Sequence, residues 1–209
     1  MISKVRNIIA GKLTRFGSTY TSNGTDFKAV ISKSNVSFDR PTDEFTLLSG
    51  YDADITDGYP IEGQDDHYVP TKLDRPNRFG GNSQYIRGYL RQANASIDIH
   101  TYIDPSNASK DAWGTPTGTE GTDWGWVKKK TAVWVSFQRQ EMRPDFRNIG
   151  QIENAEYLVV MPWSVNASVT PEPEDRIADR SGHNWRVLDI DDKTYQNQAY
   201  IARVGTDAR

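Results

Sequence analysis

The sequence predicts an all-β protein, a small β-barrel or sandwich with a short N-terminal helix. Leucine, a strong helix former, occurs only seven times in 209 residues. Threonine occurs 17 times, and the chain has 10 Tyr, 6 Trp and 7 Phe; these residue types favour pleated strands. The composition therefore excludes a helical bundle, a coiled coil and a helical repeat.

The first 37 residues predict a helix followed by a hairpin. Apolar residues near the N-terminus are spaced as on one face of a helix, which we expect to pack on the barrel. These residues are Ile2, Val5, Ile9 and Leu13. Asn23-Gly24 then separates two strand-like stretches, 18–22 and 25–33, as in a hairpin with a type I′ turn.

The last 80 residues contain four further stretches with strand character. They are residues 131–139, 155–163, 185–190 and 198–204. The economical interpretation is one barrel or sandwich built from both chain ends, with a β core of residues 14–37 and 131–209. The whole chain, 1–209, is then a single domain.

Residues 38–130 are predicted to be a large, mostly irregular insertion in that core. They contain many aspartates and glycines and few sustained apolar patterns. Two stretches, 85–90 and 96–102, alternate well and predict a hairpin-like extension. Residues 104–125 have the composition of a loop, and a loop of this length is typically functional or disordered.

Charge is segregated along the chain. Residues 43–66 hold eight acids and no Lys or Arg, whereas residues 72–91 hold five bases and one acid. These stretches are either solvated loops or a self-associating surface, on which an acidic stretch of one subunit meets a basic stretch of the next. For the second interpretation, the candidate subunit-interface or lumen residues are Asp52, Asp54, Asp57, Asp65, Asp66, Arg75, Arg78, Arg87, Arg91, Lys128, Lys129 and Lys130.

No motif of a known catalytic or cofactor site is present. The chain has no cysteine, which excludes disulfides, Cys-ligated zinc and iron–sulfur clusters. Residues 52–58 resemble a calcium loop, but the third acid is one place late and position 12 is Gly63, so a polar turn is favoured. His67, His100 and His183 follow no metal-binding spacing. We therefore predict no cofactor, no metal and no enzymatic activity.

Several C-terminal residues match a recurring pattern. They are Asp175-Arg176-Ile177, Gly182, Trp185–Ile190 and Tyr200–Val204. The pattern resembles the ending of neck proteins of tailed bacteriophages, the head-closure (stopper) and head–tail joining family, which reads E-D-R-I, then G, then Y/W-R-V-x-D-V, then A-x-V. Phe16–Thr21 is similar to the opening strand of that family.

The resemblance implies a structural protein of the virion neck, assembled in the host cytoplasm. Such proteins form a ring of six or twelve subunits between the head and the tail, and they retain or pass the packaged DNA. The implied partners are other copies of the chain, a portal or adaptor protein, and a tail terminator or tail-completion protein. Non-specific contact with double-stranded DNA in the lumen is also implied. Since no apolar stretch approaches 18 residues, no membrane partner is expected.

Three alternatives remain open. One is another structural protein of a phage tail or capsid. Another is a carbohydrate-binding β-module, for which Trp113, Trp124 and Trp126 would have to be exposed on one flat face. The last is a small hydrolase with paired carboxylates. Its candidate residues are Asp189, Asp191 and Asp192, which also fit a plain turn between two strands.

Overall fold

The computed structural model describes residues 2–33, 44–75, 85–139, 156–167 and 171–207. Within these ranges the chain has one α-helix and twelve strands, and two short 3-10 turns lie at Pro105–Asn107 and Trp163–Ala167. The elements are α1 (Ile2–Phe16), β1 (Ser18–Ser22), β2 (Thr25–Lys33), β3 (Glu44–Gly50), β4 (Ile61–Glu62), β5 (His67–Asp74), β6 (Tyr85–Gln92), β7 (Ala95–Ile103), β8 (Gly125–Arg139), β9 (Tyr157–Pro162), β10 (Arg176–Asp179), β11 (Asn184–Asp191) and β12 (Ala199–Thr206). The helix in these ranges is neither long nor apolar enough to span a membrane.

Strands β1 to β6 close into a first barrel, in the order β1-β2-β3-β6-β5-β4. All of its strand pairs are antiparallel. Alternate residues point inward, so that Leu47 and Ser49 of β3 are buried while Leu48 between them is only half-buried. The buried core consists of Phe27, Ala29, Leu47, Ile55, Ile61, Tyr68, Ile86 and Leu90.

The predicted N-terminal helix and hairpin are confirmed. Helix α1 packs on β2 and β3 and buries Ile9 and Leu13. Strands β1 and β2 pair around Asn23 and Gly24, whose φ angles are 50° and 77°. Both residues therefore adopt the left-handed conformation that a type I′ turn requires.

Strands β7 to β12 close into a second barrel, in the order β10-β11-β12-β9-β8-β7. Its strand pairs are also antiparallel. The interior is filled mainly by β-branched side chains, as is common in small barrels. The buried core consists of Ile97, Ile99, Val133, Val135, Val159, Met161, Val165, Ile177, Val187, Tyr200, Ala202 and Val204.

A bulge between β7 and β8 is stabilised by Asp98. This residue opposes two residues of β8, Thr131 and Ala132, and Ala132 has a φ of 54°. The Asp98 carboxylate accepts hydrogen bonds from the Ala132 N–H at 2.9 Å and from Lys128 Nζ at 2.7 Å. Burial opposes ionisation of Asp98, but these two hydrogen bonds outweigh it and lower the pKa of the carboxyl group.

The all-β class, the small barrel and the N-terminal helix are confirmed, but the strands are distributed differently from the prediction. The chain forms two barrels, and residues 44–92 supply four of the six strands of the first one. The prediction that 38–130 is mostly irregular is therefore wrong. So is the prediction that both chain ends build one barrel, because β1 and β2 belong to the first barrel and β9 to β12 belong to the second.

Several features explain why the sequence pattern does not reveal the strands of residues 44–92. Strand β4 has only two residues. In β5, a bulge between Pro70 and Lys72 interrupts the alternation of inward and outward residues. Strand β3 pairs with β6, about forty residues further along the chain, and sequence periodicity does not report such non-local pairing. The expectation of a single domain over 1–209 stays a prediction.

The predicted hairpin of 85–90 and 96–102 is also wrong, because its two strands lie in different barrels. Strand β6 completes the first barrel, and β7 begins the second. Ala93 and Asn94 carry the chain across. The Ala93 N–H donates to the His67 carbonyl at 2.7 Å, and the Asn94 N–H donates to the Val135 carbonyl at 3.0 Å. Each residue is thus bonded to a different barrel.

The two barrels are in direct contact. A small apolar cluster between them contains Val69, Ala93, Val160 and Ala199. Beside it, the His67 ring of β5 stacks on the Trp134 ring of β8 at a centroid distance of 4.0 Å. Arg91 Nη1 of β6 donates to Gln138 Oε1 of β8 at 2.6 Å. Packing and hydrogen bonding therefore both fix the orientation of one barrel on the other.

Ionisation of Tyr68 makes the stability of the first barrel depend on pH in the alkaline range. Burial, followed by the charge of Asp66, raises the pKa of Tyr68 from 10.0 to about 12. The folded chain therefore holds the phenolic proton more tightly than the unfolded chain. This contribution is complete below pH 10 and is lost as the pH rises to about 12.

We expect Tyr68→Phe to flatten the fall in the free energy of unfolding over that alkaline interval. The measurement is denaturant unfolding at several alkaline pH values, with phenolate absorbance to follow tyrosine ionisation. Tyr51→Phe is a control, because Tyr51 is 45% exposed. An equally steep fall in wild type and Tyr68→Phe would contradict the assignment.

Candidate assembly surface

Residues 104–124 connect β7 to β8 as an arm without a core of its own. None of its residues is buried. A 3-10 turn at Pro105–Asn107 begins the arm, and two isolated bridges, Lys110 to Pro116 and Glu120 to Trp124, cross it. The arm therefore owes its shape to backbone hydrogen bonding and not to apolar packing.

Three aspartates supply much of that hydrogen bonding. Asp104, Asp111 and Asp123 each accept hydrogen bonds from N–H groups of the arm. At the tip, Asp111 Oδ1 accepts from the Trp113 N–H and from the Thr115 N–H, each at 2.9 Å. Side-chain to backbone bonds of this kind define tight turns, so the tip holds the backbone of Trp113 in a set position.

Trp113 is the most exposed large apolar residue in the described part of the chain, with 90% of its surface accessible. Trp124 and Trp126 are half-buried. The Trp126 ring lies 3.9 Å from the Arg176 guanidinium carbon and 5.3 Å from the Tyr102 ring. The exposed three-tryptophan face of the carbohydrate-binding alternative is therefore not formed. A tryptophan held out alone on an ordered arm is typical of an interface anchor.

We expect Asp111→Ala to loosen the tip of the arm without destabilising the barrels. Loss of the two hydrogen bonds to Trp113 and Thr115 should speed amide exchange at these residues about tenfold, the effect of roughly 1.4 kcal/mol. Lys110→Ala is the matched control, because this exposed neighbour contributes no side-chain hydrogen bond among the described residues. Hydrogen exchange followed residue by residue is the measurement, and unchanged exchange at Trp113 would contradict the assignment.

A groove of about 560 Å³ lies on the outer face of the first barrel. Its floor includes Val30, Leu48 and Arg87, which are in register across β2, β3 and β6. Lys12 and Phe16 of α1 form one side. Phe16 is 64% exposed. The groove thus combines apolar side chains with two cations.

Helix α1 presents to solvent a second stripe, made of two apolar residues and a lysine. Ile8, Lys12 and Phe16 are spaced four residues apart and so share one face of the helix. Ile8 is 54% exposed. The pattern that predicts the helix marks a different face, that of Ile9 and Leu13, which is buried. The four-residue spacing of Ile8, Lys12 and Phe16 is the sequence signal that could have predicted this surface.

The five acids predicted as interface or lumen residues are exposed, and some are bound within the chain. They are Asp52, Asp54, Asp57, Asp65 and Asp66. The Asp57 carboxylate accepts from Arg75 Nη1 at 2.9 Å. Asp66 Oδ1 accepts from Gln92 Nε2 at 3.3 Å. Residues 52–58 form turns, and among the described residues no three potential ligands cluster as a metal site would require.

Among the described residues, some of the predicted basic residues pair with acids of the same chain, and Arg87 does not. Arg75 pairs with Asp57, and half-buried Arg91 lies between the barrels with its Nη2 4.0 Å from a Glu44 oxygen. The acidic and basic stretches therefore meet partly within one chain. Arg87 is exposed in the groove and forms no ion pair with any other described residue, although its guanidinium carbon lies 5.1 Å from the Tyr89 ring centroid. Arg78 lies outside the described residues.

The lysine run at the start of β8 is not a uniform basic patch. Lys128 pairs with Asp98 at 2.7 Å. Lys129 is exposed and Lys130 is half-buried. Burial, followed by the charge of Lys128, lowers the pKa of neighbouring His100. The role of these lysines as interface or lumen residues stays a prediction.

The C-terminal aspartates build a turn. Asp191 accepts hydrogen bonds from the Thr194 hydroxyl and from the Lys193 and Thr194 N–H groups, and the Thr194 bonds lower the pKa of Asp191. Asp189 pairs with Arg203. These contacts fit the plain turn, and the expected absence of enzymatic activity stays a prediction.

The C-terminal residues that carry the phage resemblance lie side by side in the second barrel, and Phe16–Thr21 lies apart from them, in α1 and β1. Asp175 is buried, and its carboxylate accepts from the Thr101 hydroxyl and from the Glu172 N–H. Arg176 pairs with Asp207 at 2.8 Å, and Ile177 is fully buried. The contacts of this run therefore hold β10 in place between β7 and β11, the two strands with which it pairs.

Comparisons of the chain with protein-family models, with curated proteins and with solved structures found no match.

Proposed function

We propose that this chain is a structural protein of a tailed-bacteriophage virion that forms a ring in the neck. The ring would join the portal side of the head to the tail and retain or pass the packaged DNA. The observation that carries the proposal is the arm with its exposed Trp113. A tryptophan displayed on an ordered arm suits the binding of another protein, because tryptophan is enriched among the residues that anchor interfaces.

The position of the resemblance supports the phage assignment. Arg176–Asp179, Asn184–Asp191 and Ala199–Thr206 are neighbouring antiparallel strands of one barrel. Gly182, with a φ of 82°, lies in the turn between the first two. The C-terminal part of the resemblance thus covers neighbouring strands of one barrel, whereas its opening strand, Phe16–Thr21, lies at the end of α1 and in β1 of the first barrel. Asp175, just before β10, and Ile177 within it contribute buried side chains to this barrel.

The placement of the two surface features supports a ring. The arm belongs to the second barrel, and the groove belongs to the first. A chain with two different binding surfaces can use both at once, and heterologous contacts between identical chains give closed rings when the rotation closes. Six- or twelve-fold closure is the expectation from the resemblance.

The exposed acids of the first barrel fit a lumen that DNA crosses. Asp52, Asp54 and Asp65 are exposed and have no ion pair with another described residue. Carboxylates along a channel repel phosphates and let DNA slide, whereas exposed cations such as Lys129 would retain it. We propose that these residues face the lumen or the adjoining subunit.

The proposal is tested by the mass of the purified chain, alone and mixed with portal rings or tail rings. We expect a discrete oligomer of the 23.6-kDa chain, or its incorporation into a complex with one of these rings. A chain that stays monomeric at all concentrations and binds neither ring would contradict the proposal. An oligomer that binds only a tail tube would support a different layer of the virion.

A further inference from the structure

We infer that the Trp113 arm of one copy docks in the groove between α1 and the first barrel of a second copy. The inference rests on the proposed ring and identifies the contact that would build it. It assigns Trp113 as the anchor on one side. On the other side it assigns Phe16, Leu48 and Arg87 as the receiving surface.

The two surfaces have opposite charge. Residues 104–124 contain four acids and one lysine. The described residues that line the groove include Lys12 and Arg87 and no acid, and neither cation forms an ion pair with another described residue. Opposite charge orients two partners and speeds their encounter. The electrostatics therefore favour this arm as the occupant of this groove.

The two surfaces also match in chemistry. The groove offers apolar contact from Val30 and Leu48 and a cation, Arg87, at the end of the same row. The indole ring of Trp113 can pack on the aliphatic side chains, and its face attracts a guanidinium or ammonium group. A volume of about 560 Å³ is large enough to receive an indole ring.

The occupant must come from another copy. Trp113 is 90% exposed, so the arm is not seated in the groove of its own chain. Because arm and groove lie on different barrels, an occupied groove leaves the arm of the receiving copy available for the next copy. The contact therefore propagates from copy to copy, which is the heterologous arrangement a ring requires.

Disulfide trapping tests the contact directly, because the chain has no cysteine of its own. Thr115→Cys places a thiol beside Trp113, and Ser32→Cys places one in the groove; both positions are exposed. We expect a mixture of these two variants, one carrying a mass tag, to form tagged–untagged dimers on mild oxidation. The matched control is Thr115→Cys mixed with Lys193→Cys, which uses an exposed position between β11 and β12 of the second barrel.

Absence of the 115–32 link above the level of the control would overturn the docking inference. Maleimide labelling of Ser32→Cys in dilute solution tests whether the groove is open. We expect rapid labelling, since the position is exposed. Full protection in the monomer would also overturn the inference, because it would mean that another segment of the same chain covers the groove.

Substitution of the anchor gives an independent result. We expect Trp113→Ala to weaken self-association about thirtyfold, the loss typical of an interface anchor, and to leave the melting temperature of the isolated chain unchanged. Tyr51→Ala is the control, since this exposed aromatic residue does not line the groove. Arg87→Glu should weaken association in a manner that diminishes with salt. Lys193→Glu, at an exposed position outside the groove, should leave association unchanged.

The outcomes separate this inference from the proposed function. If the wild-type chain forms rings that Trp113→Ala leaves intact, the docking contact is wrong and the ring proposal stands. If the 115–32 link forms but the chain joins no portal or tail ring, the contact stands and the neck assignment is wrong.

Discussion

Asp207→Ala is expected to lower the free energy of unfolding by about 3–5 kcal/mol, the effect of breaking a buried ion pair. The Asp207 side chain is 1% exposed, and its Oδ2 lies 2.8 Å from Arg176 Nε, in a side chain that is 11% exposed. The Arg176 guanidinium also lies over the Trp126 ring. Removal of the carboxylate leaves a buried cation without its counter-ion, and that desolvated charge is the source of the loss.

Urea unfolding of Asp207→Ala beside wild type measures the effect. Asp57→Ala is the matched control, because the Asp57–Arg75 pair is equally short at 2.9 Å but exposed on both sides. An exposed pair contributes about 0–1 kcal/mol, so this variant should be nearly as stable as wild type. Equal losses for the two variants would show that burial of the Arg176–Asp207 pair has no energetic role.

Leu47→Ala is expected to lower the free energy of unfolding by about 2–5 kcal/mol, the range for leucine truncation in a packed core. Leu47 is 1% exposed in the first barrel. Its neighbour Leu48 points to the opposite face of β3 and is half-buried in the groove. Leu48→Ala is therefore a control of identical chemistry, and we expect it to cost about 1 kcal/mol or less.

The pair of leucine variants tests the first barrel itself. If residues 44–50 formed an irregular segment, the two substitutions would have similar small effects. Thermal unfolding followed by circular dichroism is sufficient to compare them. A loss at Leu48 as large as the loss at Leu47 would contradict the register in which Leu48 pairs with Val30 and Arg87.

Local signals in the sequence predicted part of the fold correctly. Asn23-Gly24 specified its hairpin because two residues that tolerate positive φ suffice to set the turn. Ile9 and Leu13 revealed the buried face of α1 because the helical period is short. In β8, the alternation of Val133, Val135 and Phe137 likewise follows from the two-residue period of a strand.

The division of the strands between two barrels could not be predicted in this way. Strand β4 is too short to show a period, and β5 loses its alternation at the bulge after Pro70. Strands β6 and β7 read as hairpin arms because only two residues, Ala93 and Asn94, separate them. Their assignment to different barrels depends on hydrogen bonds to His67 and Val135, which lie 26 and 41 positions away in sequence.

The candidate surface was predicted only in part. Runs of like charge indicated the acids and Arg87. A run does not reveal which charged side chains are bonded within the chain, as Arg75 is to Asp57 and Arg91 is to Gln138. Trp113 was one of three tryptophans with equal standing in the sequence. Its exposure depends on the turn that Asp111 stabilises, and the groove depends on packing of α1 against β2 and β3.

A reconstruction of the assembled particle by electron microscopy tests the central claim most directly. The proposed function predicts a closed ring of six or twelve copies between the portal and the tail, with each copy using one surface to bind the preceding copy and a different surface to bind the next. A two-fold dimer with the same surface on both sides, or a particle whose neck lacks the chain, would contradict it.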